Sequence, residues 1–166
     1  MSARTMTVLG AASLLLSLML VAGPAFAAPI VGVASVIDGD TIEIHGQRIR
    51  LHGIDAPESR QLCTRPTGES WRCGQRASLA LSDQIGRSTV SCDPRDTDRY
   101  GRIVAVCSAR EVDLNGWLVA QGWAVAYRRY SRDYVPAEDQ ARSARRGVWS
   151  GQFDMPWEWR QQRRQR

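Results

Sequence analysis

The chain has 166 residues, 43% hydrophobic and 23% charged, which suits one domain of ordinary size with a modest core. All 22 Lys+Arg residues are arginine, set against 17 acids for a formal net charge of +5; this modest basicity favours an anionic partner such as nucleic acid or an acidic surface. The four cysteines, Cys63, Cys73, Cys92 and Cys107, form no C-x-x-C pair and bring no ligand histidines, which speaks against a zinc site.

Residues 1–27 read as a secretory signal. Arg4 supplies a short positive start, "TVLGAASLLLSLMLVAG" the apolar run, and Ala25-Phe26-Ala27 a small-x-small cleavage site, so the mature chain is expected to begin at Ala28. An uncleaved membrane anchor is the alternative, disfavoured by the placing of the cleavage signal. Cleavage removes one arginine and no acid, leaving an excess of four positive charges. The expected location is secreted or periplasmic, with no stable membrane association after cleavage. An oxidising compartment makes disulfides the expected state, and four cysteines allow three pairings.

Residues 30–55 predict three strands: "IVGVASVI" is β-rich, while "TIEIH" and "RIRLHGI" alternate apolar and polar positions around a turn at His45-Gly46-Gln47. Residues 59–69 read as a polar loop. "SWRCGQRASLALSDQI", residues 70–85, has helical spacing, with Trp71, Ala77, Leu81 and Ile85 as its buried stripe, Ser70 as N-cap and Gly86 as stop. "RSTVSC" and "GRIVAVC" follow as two strands joined by "DPRDTDRY". Val90 and Cys92 share one face, as do Ile103, Ala105 and Cys107. If these strands pair antiparallel, Cys92 meets Cys107 across the interior, and Cys63 then pairs with Cys73, pinning the loop to the first helix. "VDLNGWLVAQG" predicts a second helix, "WAVAY" an extended piece, and "DYVPAEDQARSARRG" a third helix stopped by Gly147. Residues 152–166 form an aromatic and then Arg-rich tail: Trp157 and Trp159 are expected to pack on the body and the last arginines to be solvated and frayed. Short strands interleaved with helices make the chain α+β, a small barrel carrying helices on its outside.

Asp40 lies in the "DGD" turn before one strand and Asp55 at the end of another. Brought together, two carboxylates repel one another, and a hard divalent cation with oxygen ligands, calcium or magnesium, removes that cost. Asp38 is placed to support the site. The loop lacks the spacing of an EF-hand. Pro57 stiffens the chain and fixes Glu58 relative to Asp55, where a carboxylate can position and deprotonate a water. Arg50 suits a bidentate fork to a phosphate. Residues 50 and 55 have opposite parity in a regular strand, so one site can use both only if the chain is irregular near His52-Gly53. "DRYGR", residues 98–102, offers Arg99, Tyr100 and Arg102 at a hairpin, a set suited to a phosphate and a nucleobase face. Asp93, Asp96 and Asp98 read as turn and solubility residues rather than a calcium loop, and His45 and His52 as ordinary strand residues.

Taken together, "VIDGDTIEIHGQRIRLHGIDAPES", "DRYGR", "LNGWLVAQGWAVAY" and the closing "GVWS" resemble the staphylococcal nuclease (thermonuclease-like) family over about residues 30–150. The resemblance implies an OB-fold, a five-stranded β-barrel with three helices, over residues 28–151. It implies a monomeric, calcium-dependent enzyme that cleaves DNA and RNA. It places metal ligands at Asp40, Asp55 and the main-chain carbonyl of Ala56, where threonine is usual, and catalytic groups at Arg50, Glu58 and Arg102. Arg99, Tyr100 and Tyr127 match substrate-contact positions less closely. It further implies breakage of the 5′ P–O bond, leaving 3′-phosphate ends. The cysteines depart from the type member, which has none. The competing expectation is an OB-fold nucleic-acid-binding module that does not cut, which the retention of Asp40, Asp55 and Glu58 argues against.

Overall fold

The computed structural model describes residues 28–165; the expected signal segment lies outside them. The N-terminal half of the sheet is a meander of β1 (Ile30–Asp38), β2 (Thr41–Ile44) and β3 (Gln47–Leu51), with the β2–β3 hairpin turning at His45 and Gly46, both at positive φ. A short β4 (Ile54–Asp55) follows. The predicted polar loop is not featureless: β5 (Cys63–Thr64) pairs antiparallel with β6 (Ser70–Trp71) inside it. This small hairpin takes Ser70 and Trp71 out of the predicted helix, so α1 runs Cys73–Ile85 without a side-chain cap. Ala77, Leu81 and Ile85 form its buried stripe and Gly86 ends it, as the spacing predicts.

The long hairpin β7 (Thr89–Thr97) and β8 (Ile103–Ala109) comes next, then β9 (Val112–Asp113), α2 (Leu114–Ala120), β10 (Val125–Ala126) and α3 (Val135–Ser143). Gly147–Ser150 forms a 3₁₀ turn, and α4 (Pro156–Arg164) closes the chain. The described residues thus hold four α-helices rather than three, and the expected frayed tail is the fourth.

β3, β2, β1, β7 and β8 are neighbours in that order, all antiparallel, and a parallel β3–β8 pairing joins the two ends. That closure makes a five-stranded barrel of the OB-fold type and removes the free edges. Inside are Ile42, Ile44, Ile49, Leu51, Val90 and Ala105, with Leu81 of α1 and Leu114 and Leu118 of α2 sealing the ends. Burying each large aliphatic side chain contributes about 1.5–3 kcal/mol. Cys92 stands directly opposite Cys107 across β7 and β8, and the two form a disulfide, as do Cys63 and Cys73. Of the three possible pairings, this is the one the strand faces predict.

Buried Asn115, at the start of α2, ties helix to barrel. Its Oδ1 accepts the Cys107 N–H at 3.1 Å, while Nδ2 donates to the carbonyls of His52 at 2.9 Å and Ala105 at 3.2 Å. Asn115→Ala removes the side-chain partner of the Cys107 N–H and of the His52 carbonyl in the interior, while the Ala105 carbonyl keeps the His52 N–H at 2.8 Å. The substitution is expected to lower unfolding stability by about 1–3 kcal/mol, read as a drop in the urea midpoint at constant slope.

Candidate active site

The site begins at the turn between β1 and β2. Asp38 Oδ1 accepts the Asp40 N–H at 3.0 Å, closing a tight turn that faces the Asp40 side chain inward. The Leu51 N–H donates to the Asp40 carbonyl at 2.8 Å, locking the turn against β3. Burial pushes the Asp38 carboxyl up to about 6, with the neighbouring Asp40 charge adding to the effect. Asp38 is therefore a support of the turn rather than a further arm of the site.

Arg50 stands opposite Thr41 in the β2–β3 ladder. The parity problem between residues 50 and 55 is solved where it is predicted. β3 stops at Leu51, Gly53 takes φ +72°, and the chain restarts as β4, now paired with β10 through Asp55 and Val125. A side chain at Gly53 would be strained at that φ and would crowd the ring of Tyr134 at 3.1 Å. The jog turns Asp55 toward Arg50.

One guanidinium then binds both acids. Arg50 Nη1 lies 2.9 Å from each Asp40 oxygen, and Nη2 reaches Asp55 Oδ1 at 3.0 Å and the Ile54 carbonyl at 3.3 Å. Asp55 is fully buried and Asp40 is 5% exposed. Burial raises the Asp55 pKa above its ordinary value, although the hydrogen bond from Arg160 pulls the other way. Burial disfavours the charge on Arg50 too, but Asp40 and then Asp55 outweigh it and raise its pKa.

The Ala56 N–H donates to Asp40 Oδ2 at 3.1 Å, so the main chain at residue 56 rests on the same carboxylate. Two residues on, Glu58 is held by close packing: a Cβ at Gly74 would fall 1.8 Å from the Glu58 carbonyl oxygen. Only glycine at the start of α1 lets that loop lie flat against the helix. The Glu58 N–H also donates to Gln61 Oε1 at 3.2 Å.

Arg102 approaches from the β7–β8 hairpin. Asp98 sets its direction, accepting from Arg102 Nε at 2.8 Å and pairing with Nη2 at 2.7 Å, while its other oxygen caps the Tyr100 and Arg102 N–H groups at 2.9 and 3.0 Å. The hydrogen bonds from Arg102 overcome the effect of burial and hold the Asp98 pKa below its ordinary value. Asp98, read from the sequence as a turn residue, thus also aims an arginine. Arg102 Nη1 lies 3.4 Å from Thr41 Oγ1, which itself donates to Asp40 Oδ1 at 3.1 Å. Arg102 therefore borders the acidic pair without pairing to it.

Tyr100 is exposed, with Arg99 and Arg102 over its ring at 4.9 and 5.6 Å. It opens on a groove of about 600 Å³ lined by His45, Gln47, Arg48 and Arg102. Tyr127 is placed differently from Tyr100. It follows β10 on the far side of Asp55 and is covered by Trp157, ring on ring at 5.4 Å and 7°.

The residue that the sequence reading missed is Arg160, in α4. Its Nη2 lies 2.7 Å from Asp55 Oδ2, and its Nη1 lies 3.1 Å from Asp55 Oδ1 and 2.7 Å from Glu58 Oε1. Burial works against its charge, but Asp55 and Glu58 raise its pKa above the ordinary arginine value. The signal was present in the spacing: Pro156 marks a helix start, and Trp157 and Arg160 are three residues apart on one face.

A divalent cation fits this chemistry in part from side chains and in part from main chain. The donors are hard and anionic, as calcium or magnesium requires. Among the described residues, no group of three or more His, Cys, Asp and Glu side chains forms a metal cluster on its own. Asp40 and Asp55 would therefore need the Ala56 carbonyl, water or a substrate oxygen to complete a shell.

Residues 48–151 match the family described as "Staphylococcal nuclease homologue". The succinoglycan biosynthesis protein ExoI of Rhizobium meliloti (strain 1021) is 39% identical over 91% of this chain and 79% of its own length. Protein ParB of Escherichia coli is 35% identical over 98% of this chain and 96% of its own. A micrococcal nuclease of Shigella flexneri is 33% identical over 86% of each. With a five-stranded barrel presenting acids and arginines at one spot, and with these matches over most of its length, the chain belongs to the staphylococcal nuclease family and is a nuclease.

Proposed function

We propose that the protein is an exported, calcium-dependent nuclease that hydrolyses phosphodiester bonds of DNA and RNA and leaves 3′-phosphate ends. The observation that carries this reading is the buried Asp40–Asp55 pair bound by one guanidinium, with Glu58 alongside. Held by Asp40, Asp55 and the Ala56 carbonyl, calcium would supply positive charge against a non-bridging phosphate oxygen.

In this reading Glu58 orients a water in line with the phosphorus and takes its proton as the new P–O bond forms. Arg50 and Arg102 donate N–H groups to the phosphate oxygens and balance the charge that builds on the five-coordinate phosphorus. The bond to the 5′ oxygen breaks, and that oxygen takes a proton from solvent. An arginine is too weak an acid to donate it readily, so Arg102 acts through its charge. Tyr100, at the 600 Å³ groove, contacts the neighbouring nucleotide together with Arg99, which lies over its ring, and Tyr127 does so once its ring is uncovered.

Two disulfides support an oxidising location, secreted or periplasmic. No helix among the described residues is long and apolar enough to cross a membrane. The proposed unit is a monomer.

Plasmid DNA and a structured RNA are both expected to be degraded with calcium and preserved with a chelator. The new ends should become ligatable only after both removal of the 3′-phosphate by a phosphatase and phosphorylation of the 5′-hydroxyl by a kinase. Binding without cleavage in calcium would support the non-catalytic module instead.

A further inference from the structure

We propose that α4 is a built-in competitor for the active site, in which Arg160 occupies the oxygens of the metal ligand Asp55 and ties down the general base Glu58, while Trp157 occupies the place of a nucleobase on Tyr127. The proposal rests on the nuclease reading above and adds to it a resting state that calcium must displace.

The lone pairs of Asp55 decide the matter. Its Oδ1 accepts from Arg50 and Arg160, and its Oδ2 accepts from Arg160. No oxygen of Asp55 is clear of a guanidinium, and Arg160 also takes Glu58 Oε1. A cation that ligates Asp55 therefore competes with Arg160 for the same oxygens. It also meets a site in which Arg50 and Arg160 already offset two of the three negative charges of Asp40, Asp55 and Glu58. Arg50 is carried by the fixed strand β3 and frees the acids only by turning its side chain toward the phosphate. Arg160 belongs to an element that can leave.

That element is lightly held. α4 has nine residues, no side-chain cap, and only Pro156 buried; a helix this short is marginal by itself in water. Upstream of it the chain is firmly fixed. Thr64 and Gln152 exchange main-chain hydrogen bonds at 2.8 and 2.9 Å, Gln61 Nε2 donates to the Asp154 carbonyl at 2.6 Å, and the Cys63–Cys73 disulfide secures the strand that carries Thr64. A fixed base at residue 154 and a helix attached through Arg160 and the Trp157 stack describe a flap with its hinge at Met155. The stack matters because Tyr127 with a parallel aromatic ring on it has the geometry that a nucleobase would take. One short helix thus covers a cation position and a base position together.

If the open form is about a tenth of the population, the apparent calcium affinity is weakened about tenfold. Arg160→Gln in the full chain is accordingly expected to bind calcium about tenfold tighter by titration calorimetry. Arg163→Gln removes the same charge from the exposed face of α4 and should leave affinity unchanged, which separates occupancy of the site from long-range electrostatics. Trp157→Ala keeps Arg160 but loosens the flap and should tighten calcium binding by a smaller factor. By linkage, calcium should raise deuterium uptake in residues 156–164 of the unaltered protein. Equal calcium affinity in the unaltered protein and Arg160→Gln, or weaker binding in the variant, overturns the competitor role while leaving the nuclease reading standing. Absence of calcium binding in every form overturns both.

Discussion

Glu58→Gln is expected to lower the turnover number by about 10²–10⁴ on DNA and RNA alike, the range spanned by positioned general bases. Glutamine keeps the length and shape of the side chain and can still accept a hydrogen bond from Arg160, but it cannot take a proton from water. Glu58 sits at the rim, about one-third exposed, so the change should leave the fold intact. Calcium affinity should also persist, because the buried donors are Asp40 and Asp55. A large loss of turnover with metal binding and melting behaviour retained is the pattern that identifies Glu58 as the base. Initial rates at saturating calcium measure it, and near-normal turnover would remove Glu58 from that role.

Arg50→Ala should damage both activity and stability, and the two effects have separate causes. The guanidinium binds Asp40 through both oxygens and Asp55 through one. Its loss leaves two buried carboxylates facing each other with one cation, Arg160, still on Asp55. Removing one partner from a buried ion pair typically costs about 3–5 kcal/mol. The urea midpoint without calcium should fall accordingly. Calcium should restore much of the loss, because it binds only the folded pair and neutralises it. Turnover should stay low even then, since the phosphate has lost a fork-shaped donor. Arg50→Lys should recover more stability than activity, because an ammonium keeps the charge but cannot bridge both acids in one plane. Unchanged stability of Arg50→Ala without calcium would contradict the ion-pair geometry described.

What was legible in the chain depended on how local the physics is. The "DGD" turn, the hairpin at His45-Gly46 and the stripe on α1 depend on neighbours within a few residues, and each formed close to where the pattern places it. The break at Gly53 was foreseeable from parity alone, because Arg50 and Asp55 could share a site only if the strand failed between them. The Cys92–Cys107 bond followed from the alternation of two strands.

Other features were hidden by tertiary context. The Cys63–Cys73 hairpin absorbed Ser70 and Trp71, whose spacing suits a helix equally well. Asp98 looked like any turn acid, and nothing in "DTDRYGR" says that it will align Arg102. Arg160 is one of several arginines in a polar tail. Its partnership with Asp55 spans 105 residues of chain, and only the path of residues 152–155 around the body brings it there.

The barrel closes where β3 meets β8 in parallel, Ile49 beside Ile103 and Arg50 beside Val104. That seam joins segments far apart in the chain, the kind of contact whose loop-closure entropy makes it late to form. Arg50 lies on one lip of the seam and Arg102 just before the other, so these two arginines of the proposed site come to the same end of the barrel only on closure. A chain in which that seam is still open lacks the assembled site and is expected to show no nuclease activity until the barrel shuts.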